Sequence, residues 1–165
     1  MKDAEQAVQG DAVLPGSPGS EEQVQVSGNN LTVGARIEAP GGRIPPGTVM
    51  RSGSLHWAIS SDEEFVLIMQ GDGNLVLYRV IGQPPKKQGD TFTGSPTWST
   101  LTSGESNFMY FQETDGNLVV YDKNNKPLWN SGSHGKPGVP IALEVSREGY
   151  LALYKAEPKM VWSSK

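Results

Sequence analysis

MQGDGNLVLY (69–78) and QETDGNLVVY (112–121) are the two stretches whose comparison decides the fold. Aligned without gaps they share six of ten residues, the run Asp-Gly-Asn-Leu-Val and the closing Tyr. A third stretch, SREGYLALY (146–154), keeps Gly149, Leu151, Leu153 and Tyr154 in register. Each copy ends in a tryptophan followed by small polar residues, in TWST (97–100), LWNS (128–131) and VWSS (161–164). Self-similarity of this kind marks a repeat architecture in which each copy is one supersecondary unit. Trp98 and Trp129 are 31 residues apart, and Trp129 and Trp162 are 33 apart. Tyr precedes Trp by 8 residues in the second and third copies but by 20 in the first. Twelve extra residues, within about 82–94, therefore form an insertion after Tyr78. Lying beside the first motif, it either extends what that motif recognises or obstructs it.

The rest of the chain agrees with strands rather than helices. FVLIM (65–69), FMYF (108–111), LVVY (118–121) and LALY (151–154) are short apolar runs between Gly, Asn, Asp and Pro, the pattern of short strands. No window carries apolar residues at i, i+3, i+4 and i+7 over a helical length. The 165 residues include 20 Gly and 12 Pro, which oppose long helices. The fold class is all-β. Three units of about thirty residues each predict a closed, pseudo-threefold arrangement. Such closure hides sheet edges and lets the repeated Trp rings share one centre.

Composition narrows the function. The net charge is −4 with scattered Lys and Arg, which disfavours nucleic acid and anionic membranes as partners. No run approaches the ~18–20 apolar residues of a spanning helix, so no membrane insertion is expected. Cysteine is absent, which removes thiol catalysis and thiolate zinc sites. His56 and His134 lack a ligand pattern, so neither metal nor cofactor is expected. Residues 1–28 are rich in Gly, Ser, Pro, Gln and Glu and read as a flexible arm before a domain over 29–165, with QVQV (23–26) a candidate edge strand. The charged start holds no apolar run of signal-peptide type. A cytoplasmic or non-classically released protein is the expectation.

The repeated motif has a chemistry of its own. FVLIMQ and NLVLY flank Gly71-Asp72-Gly73, a three-residue hairpin connection. That register sets Gln70 opposite Asn74, Ile68 opposite Val76 and Val66 opposite Tyr78. Strand alternation puts these on one face and Phe65, Leu67, Met69, Leu75 and Leu77 on the other, the core face. The first face offers amides, a carboxylate, an aliphatic surface and a phenol. A sugar presents hydroxyls that donate and accept beside an apolar C–H ridge, and this set matches it. Asp-Gly and Asn also build turns without any ligand. The recurrence at Asp115, Asn117, Val119 and Tyr121 favours a binding site.

Gln70-x-Asp72-x-Asn74-x-Val76-x-Tyr78 resembles the QxDxNxVxY signature of the bulb-type, mannose-binding lectins related to the snowdrop agglutinin. The resemblance covers residues 30–165. It implies a β-prism II fold, three four-stranded antiparallel sheets around a pseudo-threefold axis with one carbohydrate pocket per sheet. It also implies that Asp72 and Asn74 meet the axial 2-hydroxyl of mannose, Gln70 the 3-hydroxyl and Tyr78 the 4-hydroxyl. Val76 would pack on the ring carbons. In the second copy Glu113 stands two before Asp115, which predicts a weaker pocket, unless a local bulge brings Gln112 round. The third copy has Ser146, Glu148, Tyr150 and Ala152 at motif positions, and no mannose is expected there. Many plant relatives carry a disulfide through the turn, where this chain has Gly73. Family members often dimerise by exchanging C-terminal strands, so VWSSK (161–165) predicts a homodimer.

The expected function is a non-catalytic lectin with mannose or mannose-rich glycans as partners. The competing reading is a prism scaffold for protein interaction, bacteriocin-like or cytoskeleton-associated, with little sugar binding. A glycosidase is disfavoured, because hydrolysis needs two carboxyls across one sugar and the first motif supplies only Asp72.

Overall fold

A computed structural model describes residues 28–134, 140–155 and 159–165. The arm expected over 1–28, including QVQV (23–26), lies outside the described residues apart from Gly28. In chain order the strands are β1 (Asn29–Thr32), β2 (Arg43–Ile44), β3 (Val49–Arg51), β4 (Trp57–Ile59), β5 (Phe65–Met69), β6 (Leu75–Ile81) and β7 (Thr91–Ser99). They continue with β8 (Phe108–Phe111), β9 (Leu118–Tyr121), β10 (Pro127–Asn130), β11 (Pro140–Val145), β12 (Leu151–Lys155) and β13 (Lys159–Ser163). Three antiparallel sheets result, ordered β1-β7-β6-β5-β4, β10-β9-β8-β3 and β13-β12-β11-β2.

The three repeats each supply a hairpin and the strand that follows it. Leu67, Met69, Leu75 and Leu77 of the first sheet are fully buried. Met109, Phe111, Leu118 and Val120 of the second join them, with Leu143, Val145, Leu151 and Leu153 of the third. One core thus receives the same face of each hairpin, and alternation decides which face that is. Trp98, Trp129 and Trp162 meet at the axis edge to face, with ring centroids 5.5, 6.1 and 5.8 Å apart. Such pairs add roughly 0.5–1.5 kcal/mol each beyond the area they bury.

Two features modify the simple repeat. The fourth strands of the second and third sheets come from outside their own units: β3 pairs with β8 and β2 pairs with β11. The segment 43–51 therefore ties the two later sheets together. The first sheet has five strands, not four, because the insertion prolongs β6 to Ile81 and starts β7 at Thr91. That longer hairpin offers β7 an edge on which β1 pairs, Asn29 with Gly94 through Thr32 with Thr91. After β1 the chain crosses the outer face of the first sheet. There Val33 joins Trp57, Val66, Ile68, Val76, Tyr78 and Phe92 in a second buried cluster. The Trp57 indole N–H donates to Gly34 O at 2.8 Å and fastens the crossing. At the C-terminal end β13 pairs with β12 of its own chain.

Candidate functional site

The first motif sits where β5 turns into β6. The register is the expected one, with Val66 opposite Tyr78 and Ile68 opposite Val76. Gln70 N–H donates to Asn74 O at 2.9 Å and Gly73 N–H to Gln70 O at 3.0 Å. Asp72 folds back over this turn: its Oδ1 accepts the Asn74 N–H at 3.0 Å and the Gln70 amide at 3.1 Å. The Tyr78 hydroxyl donates to Gln70 Oε1. Each side chain is thereby oriented by another. A cleft of about 500 Å³ lies over them. It runs from Asp72 and Asn74 past Val76 and Tyr78 to Pro96 and β1, with Leu55 beside Gly71 at the turn.

A second tier holds Asn74. Its Oδ1 accepts from the Thr100 hydroxyl and the Thr102 N–H, both at 3.2 Å. The amide nitrogen of Asn74 is left pointing to donate. Thr102 also donates its hydroxyl to Gly73 O at 2.7 Å, and Asn107 adds its amide to the same oxygen at 3.0 Å. Neither motif spacing nor alternation marks Thr100, Thr102 or Asn107 as site residues. The small polar residues after each Trp were the signal that could have found the two threonines.

The second motif repeats the set with one difference. Gln112, not Glu113, donates to Asp115 Oδ1, at 2.9 Å, and accepts from the Tyr121 hydroxyl. This corrects the expectation that Glu113 fills the amide position. Its physical reason is the turn, in which Gln112 N–H bonds Asn117 O and Gly116 N–H bonds Gln112 O. Four residues lie between Gln112 and Asn117, where the first turn has three. The extra residue brings Gln112 into place and turns Glu113 out to solvent. Asp115 Oδ1 also accepts the Asn117 N–H at 3.0 Å. Partial burial opposes ionisation of Asp115, but the Asn117 and Gln112 hydrogen bonds and nearby His134 outweigh it. They hold the carboxyl below its ordinary range. Ser131 and Ser133 serve Asn117 as Thr100 and Thr102 serve Asn74, with Ser131 Oγ donating at 3.1 Å and Ser133 N–H at 3.3 Å. Val119, like Val76, is 3% exposed beneath its motif.

Neither a protein-family model nor a curated protein matches the chain. Solved structures do. The mannose-specific agglutinin from snowdrop (Galanthus nivalis) bulbs, complexed with methyl-alpha-D-mannoside, is 31% identical and superposes with a TM-score of 0.54. The match covers 72% of this chain and 93% of the agglutinin. The chain belongs to the bulb-type, snowdrop-agglutinin-like lectin family. Tarin lectin bound to trimannose is 26% identical, with a TM-score of 0.52 over 74% of this chain and 97% of that one. The Japanese Marasmius oreades lectin, at 24% identity, shares the fold with a TM-score of 0.60 over 78% and 92% of the two chains.

The third turn of this bulb-type lectin is built differently. Ser146 Oγ donates to Glu148 Oε1 at 2.6 Å and accepts the Glu148 N–H at 3.0 Å, so serine and glutamate satisfy each other. Neither amide of the motif is present, and Tyr150 and Ala152 replace Asn and Val. Burial, then the neighbouring carboxylate of Glu144, pushes the Tyr154 phenol up from its ordinary value. Arg43 lies over the Tyr154 ring at 5.6 Å. Among the described residues no group of three His, Asp or Glu could hold a metal, and no helix is long and apolar enough to cross a membrane.

Proposed function

We propose that the chain is a non-catalytic lectin whose first two hairpin turns each hold a terminal mannose. The observation that carries this reading is the duplicated network. Gln70, Asp72, Asn74 and Tyr78 make the same hydrogen bonds as Gln112, Asp115, Asn117 and Tyr121. A turn needs only its own backbone and an Asx contact. A phenol tied to an amide, tied in turn to a carboxylate, is more than a turn needs. The set presents carboxylate acceptors, amide donors and a phenol above a valine, as a pyranose demands. The snowdrop agglutinin with methyl-alpha-D-mannoside and Tarin lectin with trimannose support mannose as the sugar. Asp72 is the one carboxylate among the described residues lining the first cleft, which speaks against hydrolysis.

With Gln112 in the amide position, the two sites are of similar strength, and the third turn is silent. A shallow site with a few hydrogen bonds gives a dissociation constant near ~1 mM. Useful avidity then comes from two sites per chain, and more in a homodimer. Calorimetric titration with methyl α-mannoside and methyl α-galactoside tests the reading. Binding of the mannoside alone supports it. Preference for the galactoside, or no heat with either, refutes it and favours the scaffold alternative.

A further inference from the structure

The first site has a second wall that the repeat does not require. It is made by β1, and β1 is there because of the insertion. The insertion lengthens β7 to the point where Asn29–Thr32 can pair with Thr91–Gly94. Its loop then holds the next residue: Val33 N–H donates to Asp90 O, and Gly89 N–H donates to Val33 O, both at 2.9 Å. The loop is itself braced, since Asp90 Oδ2 accepts the N–H groups of Lys86 and Lys87 at 2.7 and 2.9 Å. The wall is a built element of the fold.

Its inner face follows from strand alternation. Leu31 lies opposite Phe92, and both pack in the outer cluster under the motif. Asn29, two residues before, points to the same side, and it lines the cleft together with Leu31, Leu55 and Pro96. Opposite Asn29 stands Gly94, where an added Cβ would lie 3.0 Å from the Tyr78 Cβ. The glycine keeps the floor low between the phenol and the wall. Among the described residues the Asn29 side-chain amide makes no hydrogen bond, unlike Asn30, whose Oδ1 is taken by the Thr93 hydroxyl at 2.9 Å. An exposed amide with both functions to offer therefore faces the motif across an apolar floor of Leu31, Leu55 and Pro96.

The cleft of about 500 Å³ lies within the ~300–1,000 Å³ range of pockets that bury drug-sized ligands, and it has room for more than one sugar ring. We infer that the first site takes an oligosaccharide of at least two sugars. Asp72 and Asn74 hold a terminal mannose, and Asn29 hydrogen-bonds the next residue while its C–H face lies on Leu31 and Pro96. This rests on the mannose reading above and makes Asn29 a specificity-determining residue of the first site.

The test uses the full chain carrying Asp115→Ala, which silences the second site. It is titrated with methyl α-mannoside and with the methyl glycosides of the α-linked mannobioses. At least one mannobiose should bind about tenfold tighter than the monosaccharide, as one or two extra hydrogen bonds and a covered apolar face allow. Adding Asn29→Ala should cut that ratio to about threefold or less. A ratio near one for every mannobiose before the Asn29 change overturns the inference, and so does a ratio that Asn29→Ala leaves unaltered. If methyl α-mannoside itself fails to bind, the mannose reading falls and this inference with it. If it binds without a disaccharide gain, only the second wall is refuted.

Discussion

Replacing Gly73 by alanine tests how the first turn is held. Gly73 has φ +90°, and a Cβ there would lie 2.3 Å from Gly104 O, 2.5 Å from Asn107 Nδ2 and 2.6 Å from Gly104 N. Two of these are backbone atoms, and the Gly104 N–H is bonded to Asp72 O at 3.0 Å, so no side-chain rotation relieves the clash. A left-handed backbone costs an L-residue roughly 1–2 kcal/mol. Moving the opposing loop also weakens the Thr102 and Asn107 bonds to Gly73 O, each worth about 0.5–1.5 kcal/mol. Gly73→Ala should therefore lose about 2–4 kcal/mol in urea denaturation, with an unchanged m-value. It should also weaken mannoside binding at the first site by tenfold or more, about 1.4 kcal/mol, because Asp72 and Asn74 ride on the same turn. Gly71→Ala is the control. An added Cβ there meets nothing nearer than Leu55 Cδ2 at 3.8 Å, and a change within about 0.5 kcal/mol is expected. A Gly73→Ala protein as stable as the wild type would refute the argument.

Further outcomes follow from the same geometry. Gln112→Ala removes the partner of both Tyr121 and Asp115 and should weaken the second site by about tenfold or more, whereas Glu113→Ala should change it less than about twofold, read by titration in an Asp72→Ala background. Trp129→Ala opens the axial triad and should lower stability by about 2–4 kcal/mol in urea melts, below the full range for a buried Trp because the ring is half-buried. In the same Asp72→Ala protein, mannoside affinity should stay flat from pH 7 down towards 4. The Asp115 carboxyl is held below its ordinary value of 3.8, so it remains an ionised acceptor until the pH falls through that lowered value. A loss already complete at pH 5 would contradict this.

The hairpins were the most legible part of the chain. Period-2 alternation in FVLIM and LVLY places Leu67, Met69, Leu75 and Leu77 in the core without any knowledge of the other sheets. Near-equal Trp spacing, 31 and 33 residues, gives the shared axis for a similar reason, since repeats of similar length close symmetrically. What stayed hidden depends on contacts distant in sequence. Turn length separates Gln112 from Glu113, and a gapless alignment of the two motifs cannot show one added residue. Thr100 and Thr102 reach Asn74 from 26 and 28 residues away, across a strand the motif does not include. The second-sheet and third-sheet partners β3 and β2 are too short to announce their pairing. The β1 wall was invisible because the insertion reads as a loop, although its last residues, Thr91–Gly94, are strand and carry β1.

The most direct measurement is a crystal structure of the full chain soaked in methyl α-mannoside. Two sugars per chain are predicted. One lies over Val76, within hydrogen-bond reach of Gln70, Asp72, Asn74 and Tyr78, and the other over Val119, bonded to Gln112, Asp115, Asn117 and Tyr121. The turn of Ser146 and Glu148 should carry none. Sugar bound elsewhere on the prism, or motif turns left empty at saturating mannoside, would contradict the account.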